Sequence, residues 1–349
     1  MILRFLFRAS LVAAAATAAL LPLPAGIVER WYSLGLYPRV QAVVTPYSNQ
    51  VPIALLDVAA AALLFWVVWR FVRAIRASGA VRALVSSAVG LLTIAAAVYL
   101  AFLLLWGLNY RRIPIEEKVD LDESRITRET ARQLAREAVV RVNALHAPAH
   151  RRPAGGPALE QAFAAAERRL GHGSSMVPAV PKRSLLEWYF RWAAIDGMTD
   201  PLFLEIIINP DVLPIERPFV IAHEWGHLAG YANEDEANLM AWLTCLEGGP
   251  LAQYSGWLVI YGHVMNALPR EDRRLIAAEL TEGPREDLRA IANRFALSKP
   301  LVRNVARETY DAYLRANRVE EGIASYDAVI RLILAAGPDH GWAPRPRPR

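Results

Sequence analysis

Three runs of this chain are long and apolar enough to cross a bilayer, and they fix what its first third can be. They cover about residues 5–27, 51–72 and 84–106. A spanning helix needs about 20 apolar residues. Backbone polar groups find no water in hydrocarbon, so each run is expected as a transmembrane α-helix. The alternative is three buried helices of a soluble protein, and runs this long with so few charges argue against it. The first run has Arg4 and Arg8 ahead of its alanine-rich stretch, as a cleaved signal peptide would. Its A-x-A-like sites lie inside the apolar run rather than after it, so an uncleaved anchor is expected.

Basic residues set the orientation. Arg4 and Arg8 precede the first run, and Arg70, Arg73, Arg76 and Arg82 fill the link between the second and third. Both sets belong on the cytoplasmic side. Residues 29–50 then form an outer loop, and everything after the third run lies on the outer face. Arg111 and Arg112 pull the other way, but the short basic link dominates. The expectation is a multi-pass protein of the bacterial inner membrane. Residues 1–112 are its membrane region, and residues 113–337 form a domain on the periplasmic or extracellular side. The tail, residues 338–349, carries Pro-Arg repeats and is expected to be disordered.

After residue 114 the composition turns charged and the pattern becomes that of amphipathic helix. Residues 127–145, 158–170, 254–267, 270–281, 285–295, 299–317 and 325–335 all read this way. Residues 147–157 and 171–181 read as loops rich in Gly, Pro, Ser and His. FLEIII, residues 203–208, is the best strand candidate and a candidate edge strand beside a cleft. The fold is thus expected to be mainly α. Three N-terminal transmembrane helices precede a mostly helical domain with a small strand element. The net charge of +5 raises the question of nucleic acid. The arginines sit beside the apolar runs or in the PRPRPR tail, with no basic stripe interleaved with stacking aromatics, so no nucleic-acid partner is expected. The single cysteine, Cys245, excludes an intrachain disulfide and a Cys-rich metal site. It reads as a small core residue.

Chemistry concentrates in FVIAHEWGHLAGYANEDEANLMAWL, residues 219–243. His223 and His227 are four apart, so they share one helix face and can bind one zinc ion. In H-E-x-x-H hydrolases the glutamate, here Glu224, stands beside the water that zinc activates and takes its proton. It then returns the proton to the leaving nitrogen. Two histidines satisfied by ordinary hydrogen bonds are the plainer reading, but it leaves a glutamate in an apolar run unexplained. Burying a carboxylate without a partner is costly, and a nearby cation removes the cost.

A catalytic zinc has a third protein ligand. On a straight helix Glu234 would lie roughly 10 Å along the axis from His227 and about 16 Å from His223. One ion cannot bridge that, so the chain must turn, and Gly230 is the natural place. A second helix starting near Glu234 would pack back on the first. There Glu234 and Asn238 share a face while Glu236 points about 200° away. Glu234 is the expected ligand and Asn238 the residue orienting a histidine; Glu236 is the alternative. The spacing H-E-x-x-H-x-x-G-x-x-N also approaches the metzincin pattern, but its last position is Asn233, a poor zinc ligand.

EDEAN ahead of an apolar helix resembles the E-x-x-x-[DN] second helix of gluzincin peptidases. The chain as a whole resembles the bacterial membrane family catalogued as domain of unknown function 3810. VERWYSLGLYPRV, WGLNYRR, PFVIAHEWGHLAGYANEDEAN, QYSGW and YDAYLRANRVEEGIASYDAVIRLIL carry that resemblance in order. It implies a membrane-anchored, zinc-metallopeptidase-like protein and supplies no substrate. The gap between His227 and Glu234 is very short for a gluzincin.

The expected activity is hydrolysis of a peptide or protein at the outer membrane surface. Zn2+ is held by His223, His227 and Glu234, and Glu224 is the base. The bilayer is the other expected partner. A tethered zinc-binding or assembly protein is the alternative, with His263 a candidate fourth ligand. Tyr254, His263, Tyr310 and Tyr326 are candidate oxyanion donors. Trp188, Tyr189, Phe190 and Trp192 are candidates for a groove, core packing or membrane contact.

Overall fold

The computed structural model describes residues 2–151, 156, 158–171, 176–319 and 328–347. Helices dominate it. The first, α1, spans Ile2–Leu20 and stops where Pro22 and Pro24 follow. Proline lacks the N–H that would continue the ladder and restricts the residue before it. The chain resumes as α2, Ala25–Ser48, which includes a π-helical stretch at Val28–Leu36. It is bent by 110° from Phe5–Leu20. This corrects two expectations. The first run is broken rather than one helix through residue 27, and residues 29–50 are helical rather than an outer loop. Apolar periodicity hid the break, and docking on the following domain explains the helix. Gln41 Nε2 donates to the Val177 carbonyl at 2.7 Å, and Thr45 Oγ1 to that of Leu204 at 2.9 Å.

Helices α3 (Leu55–Ser78) and α4 (Ala80–Leu105) are joined at Gly79. Two helices, Leu55–Ala77 and Ala80–Leu105, are long and apolar enough to cross a membrane, and there are three if the bent pair is one span. Only 0% and 11% of their apolar windows are buried within the protein, so the side chains need lipid around them. By length and composition this is a membrane protein.

The rest is a helical domain with two small sheets. Its helices are α5 (Arg128–Ala149), α6 (Leu159–Arg169), α7 (Glu187–Ala193), α8 (Arg217–Leu228), α9 (Glu234–Glu247) and α10 (Pro250–Ala267). They are followed by α11 (Arg270–Ala278), α12 (Glu282–Ala296), α13 (Pro300–Ala316) and α14 (Ala328–Ala336). Helix α9 is buried from Glu234 to Cys245, its acidic first turn included, and its later turns are apolar on nearly every face. Around it pack α6, α8, α10 and α14. Strands β2 (Gly197–Asp200) and β3 (Glu205–Ile208) form an antiparallel hairpin with Gly197 opposite Ile208. Asp200 closes the turn by accepting from the Leu202 and Phe203 amides. The FLEIII strand is not the edge. On its other side β3 bonds Lys182, which leaves β2 as the rim.

The tail departs from expectation. Strand β4 (Arg345–Pro346) pairs antiparallel with β1 (Val119–Asp120), and Trp342 and Ala343 are buried. The Trp342 carbonyl accepts from Trp242 Nε1 at 2.8 Å. A buried indole N–H needs an acceptor, and the tail supplies it. The Pro-Arg repeats drew attention away from that anchoring tryptophan. Helix α5 likewise runs to Ala149, into residues read as loop.

Candidate metal centre

The carboxyl end of α8 is held from the membrane side. A helix leaves its last four carbonyls without intrahelical partners. Here the His227 carbonyl accepts from Trp106 Nε1 at 2.8 Å and that of Leu228 from the Tyr37 hydroxyl at 2.5 Å. The Gly230 carbonyl accepts from Arg112 Nη1 at 3.0 Å. Arg112 is itself paired through Nε and Nη2 to Glu29, at 2.9 and 3.0 Å. Residues directly after α4 and within α2 therefore fix the motif helix.

The chain turns at Gly230, whose φ of +89° favours glycine. Helix α9 then folds back on α8 with unusually close backbones. A Cβ at Gly226 would lie 3.1 Å from Ala237 Cα. That approach carries Glu234 to the histidines. His223 Nε2 is 3.3 Å from Glu234 Oε2, and His227 Nε2 is 3.6 Å from Oε1. The imidazoles stand edge to face with centroids 4.7 Å apart. One ligand atom from each of the three residues lies within 4.8 Å of the others.

The hydrogen bonds show which atoms face inward. His227 Nδ1 is 2.9 Å from the Tyr231 carbonyl, which can only accept. Nδ1 therefore carries a hydrogen, and Nε2 faces Glu234, as a lone pair when the ring is neutral and as a donor when it is protonated. His223 Nδ1 is likewise 2.9 Å from Asn238 Oδ1. Glu234 Oε2 is buried and has no hydrogen-bond partner. With both rings neutral, acceptors face acceptors across a small space, an arrangement that a metal ion or a proton on a ring resolves. Two atoms bound to one zinc at about 2.0–2.1 Å and a tetrahedral angle lie about 3.3–3.4 Å apart, so the donor set fits.

Glu224 is buried next to this cluster. Thr199 Oγ1, on rim strand β2, is 2.8 Å from Glu224 Oε2 and 2.9 Å from the Glu224 carbonyl. Burial pushes the Glu224 carboxyl above its usual range, against the pull of His223, His227 and Thr199. Burial pushes Glu234 the same way, but His227 and His223 outweigh it and hold it well below the usual carboxylate range. Burial alone would lower His227; the Glu234 and Glu224 charges instead raise it to about 9.

The family model described as Protein of unknown function (DUF3810) matches residues 32–334. The chain belongs to that family. No curated protein and no solved structure matches it. The match takes in α3 and α4 and the whole α8–α9 hairpin of this DUF3810 protein.

The other candidates separate cleanly. Glu236 faces away, accepting from the Ile115 amide at 2.8 Å. Asn233 sits at the start of α9, and neither it nor the half-buried His263 on α10 belongs to the cluster. Tyr310, on α13, reaches the site and its hydroxyl donates to Glu234 Oε1. Tyr254 bonds Asp287 instead, and Tyr326 lies outside the described residues. Trp188 and Trp192 are exposed on α7, while Phe190 is buried. Thr199, Trp106, Tyr37 and Arg112 carry no expectation of a place at this site from the sequence. They lie far along the chain from the motif, and no local pattern ties them to it.

Proposed function

We propose that this DUF3810 protein is a membrane-anchored zinc metallopeptidase with a zincin-like site, cleaving a protein or peptide at the outer face of the membrane. One observation carries the reading. The buried Glu234 carboxylate faces two imidazole nitrogens, Oε2 toward His223 and Oε1 toward His227, with the Glu224 carboxyl alongside. His223, His227 and Glu234 would hold the metal as three protein ligands, the number a catalytic zinc keeps. Zinc held there would supply Lewis acidity, polarising a carbonyl oxygen and acidifying water.

Glu224 acts as general base and then as general acid. A carboxyl with a raised pKa holds and returns a proton more readily near neutral pH. Thr199 suits both states. Its single hydroxyl hydrogen can serve either the Glu224 carboxylate or the Glu224 carbonyl. When the carboxylate is ionised the hydroxyl donates to it. When Glu224 is protonated, the carboxyl donates to Thr199 and the hydroxyl turns to the carbonyl. An extended substrate would align along β2, which pairs with β3 alone among the described strands. In this reading the bent pair is a first span, and the basic α3–α4 link keeps the domain outside a bacterial inner membrane.

A second reading is a non-catalytic, membrane-tethered zinc-binding or assembly protein of the envelope. The Tyr310 hydroxyl on Glu234 favours it, because α13 then covers one oxygen of the third ligand. Zinc content and cleavage of a peptide library, measured on the purified chain and on Glu224→Gln, separate the two. Zinc in both with cleavage lost in the variant supports the enzyme. Equal cleavage by both sinks it, and zinc without any cleavage favours the second reading.

A further inference from the structure

A second pair of histidines four residues apart lies outside the H-E-x-x-H motif. His146 is in the last turn of α5, and His150 directly follows that helix. Their rings lie 4.3 Å apart, centroid to centroid. Asp287, on α12, stands opposite both. His146 Nε2 is 3.5 Å from Asp287 Oδ2, and His150 Nε2 is 3.5 Å from Oδ1. The three donor atoms lie within 4.8 Å of one another, as at the first cluster, and the two clusters share no residue.

The proton arrangement repeats as well. His150 Nδ1 is 2.8 Å from the His146 carbonyl, which can only accept. Nδ1 therefore carries a hydrogen, which leaves Nε2, facing a carboxylate oxygen, as the ring's metal-binding atom. The carboxylate is positioned from behind. The buried Tyr254 on α10 donates its hydroxyl to Asp287 Oδ2 at 2.5 Å. A ligand carboxylate hydrogen-bonded by a neighbouring side chain is the usual build of a metal site. The 3.5 Å separations approach the roughly 3.3–3.4 Å expected between two atoms on one tetrahedral zinc. Access is open on one side, since the side chains of His146 and His150 are 30% and 41% exposed.

We infer that His146, His150 and Asp287 form a second metal site, taking zinc or a divalent cation of similar softness and tying the end of α5 to α12. Two imidazoles and one carboxylate favour such a cation over calcium or magnesium, which take oxygen ligands. Ala147 stands where the first motif has Glu224. The role is a clamp with an open coordination position rather than a second hydrolytic centre.

The full chain, purified in detergent without a histidine tag and dialysed against buffered Zn2+, tests this by its zinc content. Two zinc ions per chain are expected. Asp287→Asn, which keeps an acceptor for Tyr254, should hold one, and so should His150→Ala at its exposed position. His223→Ala should also hold one, and His223→Ala with Asp287→Asn none. X-ray absorption on His223→Ala should report two imidazoles at about 2.0–2.1 Å. Two zinc ions retained in Asp287→Asn would overturn the proposal. So would one ion in the parent that is lost in His223→Ala. One ion lost only in Asp287→Asn would support this site while removing the first.

Discussion

The two histidine clusters use one local device in different surroundings. In each, imidazoles four apart face a carboxylate from another helix, and a carbonyl fixes the hydrogen of at least one ring on Nδ1. The first cluster is buried, with Glu224 and Thr199 beside it and its helix end gripped by Trp106, Tyr37 and Arg112. The second is half open, with Ala147 in the glutamate's place. Spacing makes a metal cluster possible in both. What stands next to it decides whether a proton can also be moved.

Glu234→Ala should break the comparison most severely. It removes the carboxylate that both buried histidines face, so the first cluster should lose its zinc and all cleavage with it. The second cluster should keep its metal. Glu236→Ala serves as the control, because Glu236 bonds the Ile115 amide instead. That variant should keep its zinc and lose about 1–3 kcal/mol of stability for the orphaned amide. Zinc lost from Glu236→Ala but kept in Glu234→Ala would reverse the assignment of the ligand.

Next in size is Glu224→Gln. General acid–base groups contribute about 10²–10⁴ in rate, so cleavage should fall by that factor with both zinc ions in place. Glu224 is what the buried cluster has and the open one lacks. A variant as fast as the parent would leave the two clusters chemically alike.

How much of this was legible in the sequence follows from distance along the chain. The turn at Gly230, and that Glu234 rather than Glu236 faces the histidines, follow from helix geometry over a dozen residues, where periodicity is a strong constraint. The break after Leu20 was written in Pro22 and Pro24, yet the apolar run masked it. His150 lies in the stretch expected as loop and His146 just ahead of it, because Pro148 interrupts the pattern that α5 nevertheless continues. Asp287, Thr199 and Trp106 reach their partners only through tertiary packing. No periodicity could pair Asp287 with His146 and His150, Thr199 with Glu224, or Trp106 with the His227 carbonyl.

A buried carboxyl without imidazoles sharpens what the histidines do for Glu234. Glu167, on α6, is buried too, but among the described residues its carboxylate accepts from the Met176 amide and is drawn down in pKa by the Arg168 charge, with no imidazole against it. Burial pushes its pKa up to about 7, whereas Glu234 is held low. The raised value favours the protonated form in the folded state. Its stabilising contribution is full below the unfolded pKa of about 4.5 and is lost as pH rises through about 7. The loss is at most about 3 kcal/mol. Thermal unfolding of the parent should therefore weaken between pH 4.5 and 8 more than that of Glu167→Gln. Equal slopes would mean that water or an unseen partner already solvates Glu167.

The smallest effect compares how each cluster holds its ligands in place. Asn238 orients His223, and Tyr254 orients Asp287. Removing such a partner usually weakens metal affinity about 10–100-fold. Tyr254→Phe keeps the ring that packs against both His146 and His150 and deletes only the hydroxyl. Zinc affinity at the second cluster should fall toward the lower end of that range, because Asp287 stays tethered to its helix and solvent can replace the lost hydrogen bond. The first cluster should titrate as in the parent. Competition with a chelator of known affinity, on the His223→Ala background, reads the second cluster alone. Unchanged affinity there would mean that Tyr254 is a packing residue and that Asp287 is positioned by α12. A loss far beyond 100-fold would mean that the hydroxyl holds the two helices together, and unfolding temperature without metal would then fall in parallel.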